Sequence, residues 1–181
     1  WIGSVCDVRL LLRTYAVNVV VGMWDDYWNN SNNYYIYFNS SDKENYKFFF
    51  IPYDYDNTLG TSNNCGVQSD SGRQDPLKWG DTNRSPLIGK ILKFDDYRAI
   101  YVEALNELCS PANNLFYYSA SMSRIQTWHN MIRDYVVNDT DEDCEIKDRP
   151  ASWGNIYDYR LLDANSSMNF FKVKASSIPK K

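Results

Sequence analysis

The chain has a single histidine, His129, among 181 residues. That excludes any metal centre or mechanism needing two imidazoles, and it would force a serine or cysteine triad through one residue. His129 follows Trp128 in a helical pattern without partner residues, so it reads as a half-buried helix residue with no assigned role. The four cysteines, Cys6, Cys65, Cys109 and Cys144, form no C-x-x-C pair, which disfavours zinc and redox motifs and leaves two disulfides or four thiols. Long apolar runs are missing and mean hydropathy is -0.55, so no segment reads as a membrane-spanning helix. Excess positive charge is missing too: 19 Lys and Arg stand against 23 Asp and Glu, a net charge of -4. The one basic grouping, Lys172, Lys174, Lys180 and Lys181, makes no stripe that could follow a phosphate backbone, so nucleic acid is not an expected partner. No methionine stands before Trp1 and no basic stretch leads into an apolar h-region, from which a longer parent chain is expected. The chemistry left to the chain belongs to carboxylates.

What is present suits one domain over residues 1–181, a length that buries roughly two thirds of its unfolded surface. Hydrophobic residues make up 44% and aromatics 16%; at hairpin and helical spacing the aromatics read as core before they read as a carbohydrate- or protein-binding surface. N-x-[ST] sequons begin at Asn29, Asn39, Asn83, Asn138 and Asn165 and, with the even cysteine count, lean toward a secreted or cell-surface setting.

Along the chain, Ser4 followed by Asp7 resembles a capping box, and Val5 to Val20 recur at helical spacing until Gly22, which predicts one long buried helix. Residues 24–33 are too rich in Asp and Asn to continue it and predict a polar loop anchored by Trp24 and Trp28. Tyr34 to Phe38 and Lys47 to Tyr53 are aromatic and β-branched runs that predict a hairpin, with Pro52 at a strand end or on an edge. Thr58 to Arg84 lacks periodicity and predicts a long surface loop. Ser85-Pro86 opens a short helix to about Lys93, and a second follows with Tyr97, Ile100, Tyr101, Ala104, Leu105 and Leu108 on one face. Ser110-Pro111 repeats the start signal ahead of a helix marked by Ile125, Trp128, Ile132 and Tyr135, ended by the acidic stretch 138–145. The remainder is expected to be irregular, with a short strand near Phe170 to Val173. The order predicts an α+β fold dominated by helices, with a small hairpin.

A hairpin brings its two ends together, so Asp25, Asp26 and Asn33 at its entrance should approach Asp54 and Asp56 at its exit. In extended backbone residues two apart share a face, so Asp54 and Asp56 could address one cation. Clustered carboxylates with an amide oxygen are hard ligands suited to Mg²⁺ that is also held by substrate phosphates. The bland alternative is turn formation and helix capping by the aspartates, and loop hydrogen bonding by the asparagines. A helix, a loop with a base Asp and a metal-binding Asn, two short strands and a metal-binding Asp follow one another in protein kinases, although His-Arg-Asp and Asp-Phe-Gly are absent here.

The runs Gly22-Met23-Trp24-Asp25-Asp26-Tyr27, Asn32-Asn33-Tyr34-Tyr35-Ile36-Tyr37 and Phe50-Ile51-Pro52-Tyr53-Asp54-Tyr55-Asp56 with Gly60, then Pro86-Leu87-Ile88 and Asp96-Tyr97-Arg98 with Tyr101, resemble the CotH family. These are spore-coat-type atypical protein kinases with relatives on fungal cell surfaces. The resemblance covers most of residues 5–110. It implies the C-lobe of a protein-kinase-like fold and transfer of the ATP γ-phosphoryl group to Ser/Thr of secreted or surface proteins. It further implies that Asp25 or Asp26 is the catalytic-loop aspartate and that Asn33 is a metal ligand. Asp54, Asp56 or both would complete the ATP-Mg²⁺ site. A glycine-rich nucleotide loop and a strand lysine do not precede the first long helix, so residues 1–181 alone are expected to be weakly active or inactive.

Other classes compete. A non-catalytic surface module, docking to an extracellular assembly, would use the sequons and need no nucleotide roof. Asp54-x-Asp56-x-Thr58 also resembles a haloacid-dehalogenase phosphatase signature, with Asp54 as nucleophile and Asp56 as acid/base; that fold requires a parallel sheet after the motif. The same D-x-D could hold a metal and a sugar nucleotide in a glycosyltransferase.

Overall fold

A computed structural model describes residues 1–44, 46–62, 70–136, 148–150 and 154–180. The first helical stretch is broken. Helix α1 (Ile2–Val5) ends at Cys6, whose backbone is extended (φ -151) and bridges to Phe48, and α2 (Val8–Val20) starts anew. Ser4 therefore caps nothing downstream: its Oγ donates to Trp1 O at 2.7 Å, while the Asp7 side chain accepts from Leu10 N at 3.0 Å as the N-cap of α2. The single helix expected from periodicity is two, because the cap at Asp7 sits inside the apolar pattern. Gly22, at φ 71, then turns the chain out of the helix.

Val8, Leu11, Leu12, Tyr15, Ala16, Val19 and Val20 are buried along α2, and they pack on Tyr101, Ala104 and Leu105 of α5 (Asp95–Cys109). An Arg13–Glu107 bidentate pair at 2.6 and 2.9 Å clips the outer edges of the two helices; being largely exposed, it adds only a little to their packing. Trp24, Trp28 and Trp79 complete this core with Ile88 and Ile91 of α4 (Pro86–Ile91). Ser85 stands at the N-cap of α4, but its side chain makes no capping bond; its Oγ pairs with Ser31 Oγ at 2.5 Å.

The hairpin forms as β1 (Tyr34–Asn39) and β2 (Lys47–Pro52), antiparallel, with Tyr34 opposite Pro52 and Asn39 opposite Lys47. Pro52 is its last residue, where a missing N–H costs no ladder bond. Phe48 and Phe50 pack on the core, and Phe50 lies at 5.0 Å from Tyr15 and 5.3 Å from Tyr34, centroid to centroid. The outer face stays open: Tyr35 is 61% exposed and Tyr37 55%. The core-packing reading of the aromatics thus holds for one face of the hairpin.

The loop expected on the surface between Thr58 and Arg84 is not confined there. Ser71, Gly72, Pro76 and Trp79 are buried, and Pro76–Lys78 forms a 3-10 turn capped by Asp75. An apolar indole within a polar stretch carries the segment inward, a signal that composition averages hide. Likewise, Pro111–Asn113 is an isolated 3-10 turn, and α6 begins later, at Tyr118, running to Val136. Only Ser121 and Ile125 of α6 are buried, while Trp128, Ile132 and Tyr135 are exposed. The strand expected near Phe170 to Val173 is helix α7 (Phe170–Ser177), N-capped by Asn169 on Lys172 N at 3.3 Å. Its Phe170, Phe171 and Val173 form a second core with Tyr159, Leu161 and Ile125. The acidic stretch expected to end α6 lies outside the described residues.

Cys6 and Cys109 are free thiols, which removes the reading with two disulfides; Cys65 and Cys144 lie outside the described residues. Asn29 is 2% exposed and its Nδ2 donates to Trp24 O at 2.6 Å, so that sequon is packed inside and cannot carry a glycan. Among the described residues no helix is long and apolar enough to cross a membrane.

Candidate active site

Two adjacent aspartates at the end of the Val21–Asp26 turn are sent in opposite directions. Asp26 is fully buried. Its Oδ1 accepts from Asn29 N at 2.8 Å, which caps the one-turn helix α3 (Tyr27–Asn30). Its Oδ2 is enclosed without completing a hydrogen bond, and so are the Asn18 Nδ2 and Trp79 Nε1 groups that face this carboxylate. Desolvation pushes the Asp26 pKa up to about 7, and the Asn29 backbone N–H, the Trp79 indole and the Asn18 amide only partly counter it. Burial, and next to it the same carboxylate, raise the phenols of Tyr55 and Tyr15. The capping alternative is what the structure shows for Asp26.

Asp25 is half-buried and gathers the asparagines. Its Oδ1 accepts from Asn30 Nδ2 at 2.5 Å, and its Oδ2 from Asn32 Nδ2 at 3.2 Å and Asn33 Nδ2 at 3.0 Å. These bonds require the chain to double back within eight residues. It does so through left-handed conformations at Ser31 (φ 57) and Asn33 (φ 54), one at a residue type that tolerates them. Asn33 is 7% exposed, and its carbonyl accepts from Tyr53 N at 3.1 Å. That bond closes the mouth of the hairpin and brings the strand exit onto the entrance.

Asp54 follows immediately, exposed and left-handed at φ 60. Tyr53 senses both sides of the mouth: its phenol is raised first by desolvation, then by stacked Tyr35, with Asp54 and Asp25 adding negative charge. Tyr55 turns inward, its OH donating to Asn18 Oδ1 at 2.7 Å, and Asp56 lies exposed beyond it with Oδ1 accepting from Asn57 Nδ2 at 2.9 Å. Leu59 N donates to Val21 O at 2.7 Å and Trp24 Nε1 to Thr61 Oγ1 at 3.2 Å, so the segment after the hairpin is bound to the turn before it. The shared face expected for Asp54 and Asp56 fails as an argument, because Asp54 leaves the strand in a left-handed conformation and alternation ends at Pro52.

Among the described residues no group of three or more His, Cys, Asp or Glu could hold a metal ion. Carboxylates and the Asn33 amide oxygen, which no described residue occupies, are a hard donor set that fits Mg²⁺ shared with phosphates. Sequence reasoning passed over Asn18, Asn30, Arg84 and Trp79. Asn18 and Trp79 carried no local signal, since their role depends on the burial of Asp26. Asn30 could have been sought as an amide a few residues from the aspartate pair, whereas Arg84, far along the chain, carried no local signal.

The family model for the CotH kinase protein matches residues 1–162, and the chain belongs to that family. No curated protein and no solved structure matches it. The fold is the helix-rich α+β arrangement with one two-stranded hairpin described above, consistent with a kinase-like protein.

Proposed function

We propose that the chain is the C-lobe of a CotH protein kinase that transfers the γ-phosphoryl group of ATP to Ser/Thr hydroxyls of secreted or surface proteins. The observation that carries this reading is the closure of the hairpin mouth, where Asp25 binds Asn33 and Asn33 binds Tyr53, the neighbour of Asp54.

In this reading Asp25 is the catalytic-loop aspartate: three amide bonds hold its carboxylate, and Oδ1, which accepts one of them, keeps a lone pair for an incoming hydroxyl and its proton. Asp26 is the residue beneath it that fixes α3. Asn33 through Oδ1 and Asp54 would hold Mg²⁺, with Asp56 able to join them by a local rearrangement. Bound Mg²⁺ would neutralise charge on the transferring phosphates. A phosphatase using Asp54 and Asp56 is less well supported, since the parallel sheet it needs is not among the described residues.

Calorimetry of ATP binding with and without Mg²⁺, on the protein and on its Asp54→Ala, Asp56→Ala double variant, tests the reading. Mg²⁺-dependent binding that the double variant loses is expected; equal binding by both overturns the assignment. The open outer face of the hairpin, with Tyr35, Tyr37 and Ile51 exposed, favours one second reading, a non-catalytic surface module docked to an extracellular assembly. It would show partner binding unaffected by substitution of Asp25.

A further inference from the structure

Asn30 stands between Asp25 and a residue that no sequence signal marked. The segment Asp81–Ser85 lies against α3 through Asp81 N to Trp28 O at 3.1 Å and the Ser31–Ser85 hydroxyl pair at 2.5 Å. From that segment Arg84 reaches over, its Nη2 donating to Asn30 O at 2.7 Å and to Asn30 Oδ1 at 3.1 Å. Arg84 is exposed and forms no ion pair among the described residues. Its guanidinium is spent on this one asparagine.

An asparagine amide has nearly the same shape at both ends, so its orientation is decided by what each end can bond. With Oδ1 held by a guanidinium, which can only donate, the end left for the carboxylate is Nδ2, the atom found 2.5 Å from Asp25 Oδ1. Were the amide turned over, its oxygen would face the carboxylate and its Nδ2 the guanidinium, opposing acceptor to acceptor and donor to donor, so the two neighbours together select the orientation found. A charged donor is the stronger kind of partner for such a task, and its loss leaves the acceptor unpaired.

We propose that Arg84 is a positioning residue for Asp25: by holding Asn30 Oδ1 it presents Asn30 Nδ2 to the carboxylate and keeps that carboxylate in the one rotamer facing the hairpin mouth. The catalytic consequence rests on the kinase reading above; the orienting role does not. The segment carrying Arg84 thereby ties its own position to the geometry of the site.

The test uses Arg84→Met, which keeps an unbranched apolar stem and loses every side-chain donor, and Arg84→Lys, which keeps a single charged donor group. Solvent exchange of the Asn30 side-chain amide, followed by NMR, is expected to accelerate about tenfold in Arg84→Met, the effect of losing one charge-assisted bond. In Arg84→Lys it should stay within about threefold of the parent, as one retained charged donor predicts. Unchanged exchange in a folded Arg84→Met variant overturns the proposal; Arg84→Gln, an uncharged donor, serves if Arg84→Met does not fold. In a transfer assay with ATP, Mg²⁺ and a Ser/Thr peptide library, Arg84→Met should lower kcat by about tenfold or more, as misplacement of a reacting group does. KM for ATP should stay within about twofold, with partial recovery of kcat in added guanidinium chloride, because the missing group acts on orientation and not on uniform binding. If the unsubstituted protein shows no Mg²⁺-dependent ATP binding while the amide exchange responds as expected, the kinase reading fails and the positioning role stands.

Discussion

Asp25 and Asp26 are neighbours in sequence and opposites in environment, and the difference has a measurable signature. Asp26 is raised from its ordinary value of 3.8 to about 7, so the folded state holds its proton over a pH range in which the unfolded state has released it. Stability then falls as pH rises from about 4 to about 7, by on the order of 1.4 kcal/mol for each pH step of one across that window. Lys174 has the reverse sign. Burial lowers it from 10.5 to about 7, against the pull of Cys109 and Asp70, with its ammonium 4.7 Å from the Trp79 ring centroid. Below about pH 7 its charge is buried at full cost, and stability rises from there toward pH 10.5. Chemical denaturation across pH should therefore show a stability minimum near neutrality. Asp26→Asn should flatten the acidic limb and Lys174→Met the alkaline one; an unchanged profile in both variants would contradict the burial described here. The distinction between the two aspartates was not legible in the sequence, because it depends on Trp79 and Asn18 closing over Asp26 from distant positions.

Elements were legible where the signal was local. The hairpin, α4 and α5 follow from β-branched runs, Ser-Pro and a helical stripe, all within a dozen residues. The pattern misleads where a cap or a buried ring interrupts it. The cap at Asp7 divides the first helix, and Asp7→Ala should lower stability by about 1 kcal/mol in thermal unfolding, whereas Ser4→Ala should change it little. Helix α7 resembles a strand in sequence because Phe170-Phe171-Lys172-Val173 alternates over its last three residues. Its Asn169 cap and its second core become apparent only once Tyr159 is in place. Gly60 marks that junction: at φ 104, an added Cβ would lie 2.7 Å from the Tyr159 ring. Gly60→Ala should cost about 2 kcal/mol or more, combining backbone strain with a clash, and should separate the second core from the hairpin exit. Unaltered thermal stability would contradict that packing.

At the scale of the molecule, the site sits where three parts meet: the end of α2, the mouth of the hairpin, and the segment from Asp70 to Ser85 that returns beneath both. The convergence of the hairpin ends followed from topology alone; the bond of Asp25 with Asn33 did not, since both stand at the entrance and meet through the left-handed turns at Ser31 and Asn33. What the sequence could not show is that the third part is interior, with Trp79 turning its indole N–H toward Asp26 and its ring face toward Lys174. Membership of the CotH family joins this architecture to kinase-like chemistry. The most direct test of that link uses Mn²⁺ in place of Mg²⁺ with ATP, reading paramagnetic broadening across the NMR spectrum of the protein and of Asp54→Ala. Preferential broadening at the Asn33 side-chain amide and at the backbone of Asp54 and Tyr55, abolished by Asp54→Ala, is the result expected. Broadening that is uniform, or centred away from the hairpin mouth, would contradict a nucleotide-metal site there.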